Sequence, residues 1–487
     1  MDLLKPKFKI SNNNDNNNND NNNRTVIINN KRLTYTNDQL NAKYRILDWL
    51  NNTVKGNNFF VLEGAAGTGK TTLLKDIIRS CNKHNIIATA PTHKAVHVIA
   101  TIINIKTATI HKLLGLRLSY NINKVSDKNF EQVNEPKIKE YNFVIIDESS
   151  MIPKPLELLI VKEANFYNVK ILFLGDKYQL PAVDNNSIFL NNYKNKFSLN
   201  EIVRQSEDNP LINLLSILRN DIKTGTFNFL KEIKLHNKVI TNGKGYEVIK
   251  KQDFIDKLLF YYKSNDFSKD INYCKYLAYT NDNINIWNKF IRNKITISDS
   301  IIDVNDYLLG YENIIDEYND LIITNSEDYY IKYITEININ NINGYNVTIV
   351  ENYSKKESTI FLVNHLNPSF NTFIDYSTNL INMAKTSYGI QRKINWRNYY
   401  DFKNKYILMI DIILNEYGNK DTIKKSIDYG YCMTTHKSQG STYNKIFINM
   451  LNILYPNQNV NYNTDILKRL LYVALSRTKE NAYILNL

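Results

Sequence analysis

Val61-Leu-Glu-Gly-Ala-Ala-Gly-Thr-Gly-Lys-Thr-Thr72 decides the fold. From Gly64 to Thr71 it fits G-x-x-x-x-G-K-[ST], the phosphate-binding loop. An apolar strand at 59–62 precedes it, and Leu73, Leu74, Ile77 and Ile78 follow at helical spacing. Strand, glycine loop and helix are the context this motif needs. Glycines let consecutive N–H groups converge on an anion, and the helix N-terminus adds its positive end. Gly64, Ala65, Ala66, Gly67, Thr68, Gly69, Lys70, Thr71 and Thr72 are therefore candidate nucleotide contacts. Lys70 would reach the β- and γ-phosphates of ATP, and Thr71 would offer its hydroxyl to Mg²⁺.

Outward from the loop, apolar runs at 86–90, 143–146 and 171–174 alternate with helical patterns, which predicts a parallel α/β sheet. Their strand ends, at Gly64, Thr92, Asp147 and Gly175, should converge at one edge, where such sheets bind ligands. The pattern breaks after His111. Runs at 116–122 and 129–133 around a polar turn predict a small hairpin. A second α/β region is split, with strands near 276–280, 430–434, 446–449 and 482–485. Between 300 and 425 lie short β-like runs at 345–350 and 359–363. They predict an inserted β-rich module, with Trp396, Tyr399, Tyr400 and Phe402 packing a helical arm. Residues 11–23, almost pure Asn with two Asp, have nothing to bury and are expected to be disordered, with ordered structure starting near Lys31.

At 487 residues the chain has room for two or three domains. Its net charge of +13 suits a polyanionic partner. Cys81, Cys274 and Cys432 lie far apart, which fits buried thiols in a reducing, intracellular compartment rather than a disulfide frame or zinc site. No apolar stretch approaches the roughly 18 residues of a membrane span, so no membrane partner is expected.

Ile145-Ile-Asp-Glu-Ser-Ser150 ends its strand with two carboxylates. In a phosphate-loop enzyme Asp147 would hold Mg²⁺ through water and Glu148 would polarise the attacking water. Gln179, just past the next strand end, is placed to sense the γ-phosphate. Arg204 and Arg477 are candidates to neutralise transition-state charge from across a cleft. Three strings (Pro91-Thr-His-Lys94, Thr109-Ile-His-Lys112 and Thr435-His-Lys437) combine a hydroxyl, an imidazole and a lysine. Such groups suit phosphate and sugar contacts along a single strand, although a lone imidazole also serves as a hydrogen-bonded packing residue.

Taken together, these strings resemble the motif set of superfamily 1 helicases, in its usual order, and most resemble the Dda and RecD-like branch. In that resemblance Leu33-Thr-Tyr-Thr-Asn-Asp-Gln39 is the adenine-reading Q motif, with Gln39 as reader. The phosphate loop is motif I, and Pro91, Thr92, His93 and Lys94 form Ia. Thr109 and His111 belong to Ib, Asp147 and Glu148 to II, Gln179 to III and Arg204 to IV. Thr280 and Asn281 form IVa. Thr435, His436, Lys437, Gln439 and Gly440 form V, with the last two on the nucleotide side, and Arg477 is VI. Ala182 departs mildly, since many relatives have a second proline there.

The resemblance implies an α/β fold of two RecA-like parallel-sheet domains. The first spans 31–205 after a tail at 1–30 and carries a strand-separating pin near 116–135. The second spans 206–299 and 426–487, and an SH3-like module with a helical tower fills 300–425. It also implies an ATP- and Mg²⁺-dependent helicase moving 5′ to 3′ on single-stranded DNA at a fork, acting as a monomer in replication, repair or recombination. An RNA helicase, or a nucleotide switch or kinase without translocation, remains the alternative.

Overall fold

The computed structural model describes residues 25–28, 31–52, 54, 56–81, 85–120, 128–132, 134–181, 193–201, 209–296, 298, 300–318, 320–416, 419–456 and 463–486. Three six-stranded sheets carry the architecture. The first runs Lys196–Leu199, Phe59–Gly64, Lys170–Gly175, Phe143–Ile146, Ile86–Ala90, Lys106–Thr109, and every pairing is parallel. Its four inner strands are largely apolar because both faces are covered, whereas the edge strands Lys196–Leu199 and Lys106–Thr109 are mixed. Alternate residues therefore fall into two separate cores. Leu62, Ile145 and Leu172 pack with the Leu73, Leu74, Ile77 and Ile78 face of helix Lys70–Arg79. Val61, Val144, Ile171 and Phe173 pack on the opposite side with Ile160 and Ala164 of helix Lys154–Tyr167. Each such burial contributes roughly 1.5–3 kcal/mol.

The second sheet runs Lys238–Thr241, Lys244–Ile249, Thr478–Leu485, Tyr443–Ile448, Cys274–Ala278, Cys432–Thr434. It is parallel apart from the hairpin at its Lys238–Thr241 edge. The third sheet, between these strands in sequence, is mostly antiparallel: Tyr406–Ile407, Glu357–Val363, Ile342–Glu351, Asp328–Ile339, Tyr307–Gly310, Ile427–Tyr429. Helices Phe370–Thr386 and Gly389–Lys405 form an arm beside it, closed by Phe373, Ile381, Trp396, Tyr399 and Tyr400, with Phe402 stacked on Phe373 at 5.4 Å. The sequence reading of α/β sheets with a β-rich and helical insertion thus holds.

Two boundaries need correction. Thr25–Ile28 pairs antiparallel with Lys31–Thr34, so strand structure begins inside the segment assigned to a tail. The β-branched run Thr-Val-Ile-Ile, not the Asn content around it, governs those residues. Ile427–Tyr429 pairs with Tyr307–Gly310 in the third sheet, beyond the expected end of the insertion at 425. The Asn-rich 11–23 lies outside the described residues. Leu116–Tyr120 and Lys128–Gln132 form an antiparallel pair where a hairpin was expected. Cys81, Cys274 and Cys432 are buried free thiols. Among the described residues no helix is long and apolar enough to cross a membrane.

Candidate nucleotide cleft and nucleic-acid interface

The glycine loop sits at the carboxyl end of Phe59–Gly64, with Gly67 at φ 88° and Gly69 at φ 78°. The left-handed φ at Gly69 favours glycine, and a β-carbon there would lie 2.3 Å from Gln39 Nε2 and push that amide aside. Gln39 is fixed by a reciprocal cap with Thr36, and its Nε2 donates to Thr68 O at 3.1 Å. Thr68 turns its hydroxyl back onto Ala65 O, 2.9 Å away. The Lys70 ammonium folds over the loop and donates to Gly64 O and, at 3.1 Å, to Ala65 O. A cavity of about 470 Å³ opens in front. Ala66, Gly67, Gly69, Lys70, Thr71 and Thr72 line it from the loop, Gln39 and Tyr35 from one side. Asp147, Glu148 and Gln179 line it from the first sheet, and Gly440, Ser441, Ser476 and Arg477 from the second.

Glu148 sits at φ 49°, ψ 39°, a left-handed conformation that costs a side-chain-bearing residue roughly 1–3 kcal/mol. The turn lets its N–H donate to Asp147 Oδ1 at 2.8 Å, so the carboxylates share one strand end. Burial pushes the Glu148 carboxyl up to about 7, with Arg477 and Lys70 pulling it down and Asp147 pushing it further up. Asp147 is also raised by burial, against the pull of its hydrogen bond from Glu148 N–H, Lys70 and Arg477. Gln179 joins the opposing groups. With its amide oriented to satisfy both neighbours, the nitrogen donates to Glu148 Oε2 at 3.0 Å and the oxygen accepts from Arg477 Nη2 at 3.0 Å. Arg477 Nη1 lies 3.8 Å from Glu148 Oε1. Thr71 and Asp147 put a hydroxyl and a carboxylate on one cavity, oxygen donors of the kind Mg²⁺ takes alongside phosphate.

Helix Thr464–Ser476 of the second sheet supplies more of this wall than the sequence reading foresaw. Arg469, Tyr472 and Ser476 recur at spacings of three and four, on one helical face. Arg469 Nη1 donates to Lys177 O at 2.5 Å and Gln179 O at 3.1 Å. Tyr472 donates to Asp176 Oδ2 at 2.7 Å, and the same oxygen accepts from Ala66 N–H of the glycine loop at 3.1 Å. That helical spacing was the available signal. Gln439 needs correction as a nucleotide contact, since its amide donates to Leu180 O at 3.4 Å, outside the cavity lining. Arg204 and Ala182 lie outside the described residues.

The hydroxyl–imidazole–lysine strings lie at strand ends that the sheets align. Ala90 registers with Thr109, and Ala278 with Thr434. Thr92, Thr109 and Thr280 cap the helices that follow, each accepting from an N–H three residues on, so a helix N-terminus opens at each of these strand ends. Pro91, Thr92 and His93 are partly accessible there, as are His111, Thr280, His436 and Lys437, with Asn281 exposed. Burial lowers the imidazoles of His93, His111 (to about 4) and His436, which favours their neutral forms.

Two members of these strings are corrected. Lys94 is 1% exposed and pairs with Asp328 at 2.5 Å, so its charge faces the third sheet rather than a phosphate. Thr435 is fully buried and puts both its N–H and its hydroxyl on Ala278 O. Lys437 stands over the Tyr311 ring at 4.0 Å and donates to Asn325 Oδ1 at 2.9 Å; burial and Lys425 lower it to about 7.

A model of the AAA domain family matches residues 47–239, and one of the UvrD-like helicase C-terminal domain matches residues 429–485. The ATP-dependent DNA helicase dda of Enterobacteria phage T4 is 25% identical over 87% of this chain and 93% of its own. The RecBCD enzyme subunit RecD of Buchnera aphidicola is 27% identical over 88% of this chain and 70% of its own. The chain belongs to the superfamily 1 helicases, in the Dda and RecD-like branch. It is an ATP-hydrolysing DNA helicase. An uncharacterized protein of Acanthamoeba polyphaga mimivirus is 26% identical over 91% of this helicase and 98% of its own length.

Proposed function

We propose that this helicase steps 5′ to 3′ along one DNA strand, as a monomer, and parts the duplex ahead of it. One observation carries the reading: Lys70 and Glu148 from the first sheet and Gly440 and Arg477 from the second line one nucleotide cavity. Nucleotide held there bears on both sheets at once, and each sheet carries a capped helix N-terminus just past one of its strand ends. Lys70 binds the terminal phosphates, Glu148 takes a proton from the attacking water, Gln179 couples that carboxylate to the opposite wall, and Arg477 meets the charge on the transferred phosphoryl group. Thr71 and Asp147 would hold Mg²⁺, which when bound neutralises charge on the phosphate oxygens. The phage T4 relative named as an ATP-dependent DNA helicase, and the polarity implied by the motif resemblance, support the strand and direction.

Strand displacement on duplexes with a 5′ or a 3′ single-stranded tail tests this. ATP should drive displacement from the 5′ tail alone, and Lys70→Ala should abolish it. Displacement from the 3′ tail alone would keep the motor and reverse the direction. ATPase stimulated by RNA and indifferent to DNA would reassign the substrate.

Backbone recognition makes a second expectation. Log affinity for a single strand should fall linearly with log salt, and Lys437→Ala should reduce the slope by about 0.7, one phosphate contact. An unchanged slope in fluorescence-anisotropy titrations would remove Lys437 from the interface.

A further inference from the structure

Away from the nucleotide cleft, three side chains from distant parts of the chain meet between the first and third sheets. They are His97 on helix His93–Ile102, Glu327 just before strand Asp328–Ile339, and Glu351 at the end of strand Ile342–Glu351. Each offers a ligand atom, and all of these atoms lie within 4.8 Å of one another. His97 Nε2 is 3.2 Å from Glu351 Oε1. Glu327 is fully buried, and neither of its carboxylate oxygens has a hydrogen-bond partner. Lys94 nearby does not answer it, because its ammonium is held by Asp328. A buried carboxylate with no donor is expensive and rare in folded proteins. Lys94 and His97 act on it through space, but among the described residues no donor bonds either oxygen, which leaves both open to a bound cation.

We propose that His97, Glu327 and Glu351 form a site for a first-row divalent cation of the zinc class, joining helix His93–Ile102 to the third sheet. An imidazole nitrogen and two carboxylate oxygens, with a fourth position for water, are a donor set that zinc takes. With metal–ligand bonds of about 2.0–2.2 Å, neighbouring ligand atoms of a tetrahedron lie roughly 3.4 Å apart. The His97–Glu351 separation already has that length. Two carboxylates and a divalent ion sum to neutrality, whereas a water molecule would satisfy the oxygens and leave the charge. The imidazole argues against Mg²⁺ and Ca²⁺, which prefer oxygen throughout. The His97 ring is held in plane by Tyr353, stacked at 5.6 Å and 9°. Because helix His93–Ile102 begins at the Thr92–Lys94 string, the ion would set the position of one wall of the strand-binding edge.

The test uses the full chain, stripped with a chelator, without nucleotide, and with zinc alone as the probe. Bound metal is counted by equilibrium dialysis and melting is followed with and without zinc, in wild type, His97→Ala, Glu327→Gln, and Asp147→Asn as a control for the cleft. Wild type and Asp147→Asn should each bind one equivalent that Glu327→Gln and His97→Ala bind at least about 100-fold more weakly. Zinc should raise the melting temperature of the first pair only. Co²⁺ in its place should give visible d–d bands that vanish in His97→Ala. Stripped Glu327→Gln should melt no lower than stripped wild type, since the amide removes a buried charge; this separates lost binding from lost folding. Equal zinc binding in wild type and both ligand variants, or no zinc effect on wild-type melting, would overturn the site.

Discussion

Arg477→Ala should lower the strand-stimulated ATPase kcat by about 10³-fold or more, the range seen when an arginine supplied across a cleft is lost from phosphoryl transfer. Arg477 follows helix Thr464–Ser476 of the second sheet, yet its guanidinium reaches Gln179 and Glu148 of the first. It is held from behind by Val473 O at 3.3 Å and Ser476 Oγ at 3.1 Å, which fixes the fork before any phosphate arrives. Preorganised charge of this kind acts on the transition state more than on bound ATP, so KM should change far less than kcat. Arg477→Lys keeps a positive charge but not the planar fork, and should recover only part of the loss. A kcat within tenfold of wild type in Arg477→Ala would show that the transferred charge is met elsewhere.

Glu148→Gln should reduce kcat by about 10²–10⁴-fold, the span typical of general-base loss, and should also remove a pH dependence. Burial raises the Glu148 carboxyl to about 7, and a base works only when deprotonated. In wild type, kcat/KM for ATP should therefore climb as pH rises through about 7 and level off above it. Below that point it should fall by about tenfold for each unit. The residual rate of Glu148→Gln should be flat over the same window. Arg477 lowers the Glu148 pKa, so Arg477→Ala should move the wild-type limb to higher pH. A limb that persists unchanged in Glu148→Gln would assign the titration to another group.

The nucleotide half of this helicase could be read from its sequence because its determinants are local. A strand, a glycine loop and a helix are contiguous, and strands buried on both faces, such as Phe143–Ile146, announce themselves as apolar runs. The adjacent carboxylates Asp147 and Glu148 needed only the strand before them. What escaped depends on separation along the chain. A Thr-His-Lys string does not reveal that Lys94 points to Asp328, 234 residues away. Gln439 goes with the nucleotide only through the motif resemblance, yet its amide turns to Leu180 O, 259 residues away. Thr25–Ile28 was hidden by the Asn tract beside it. The face of helix Thr464–Ser476 was visible in its spacing, but Tyr472 has meaning only once Asp176 is known to stand opposite.

Asp176 Oδ2 receives one hydrogen from the glycine loop and another from the second sheet. At that one atom the glycine loop and the second half of the motor meet directly. The Ala66 amide belongs to the same backbone that a phosphate would recruit, so a phosphate and Asp176 compete for that one N–H, while Tyr472 donates to the same carboxylate oxygen independently. A phosphate in the loop would thus reach the second half of the molecule through a single carboxylate, with no long lever in between.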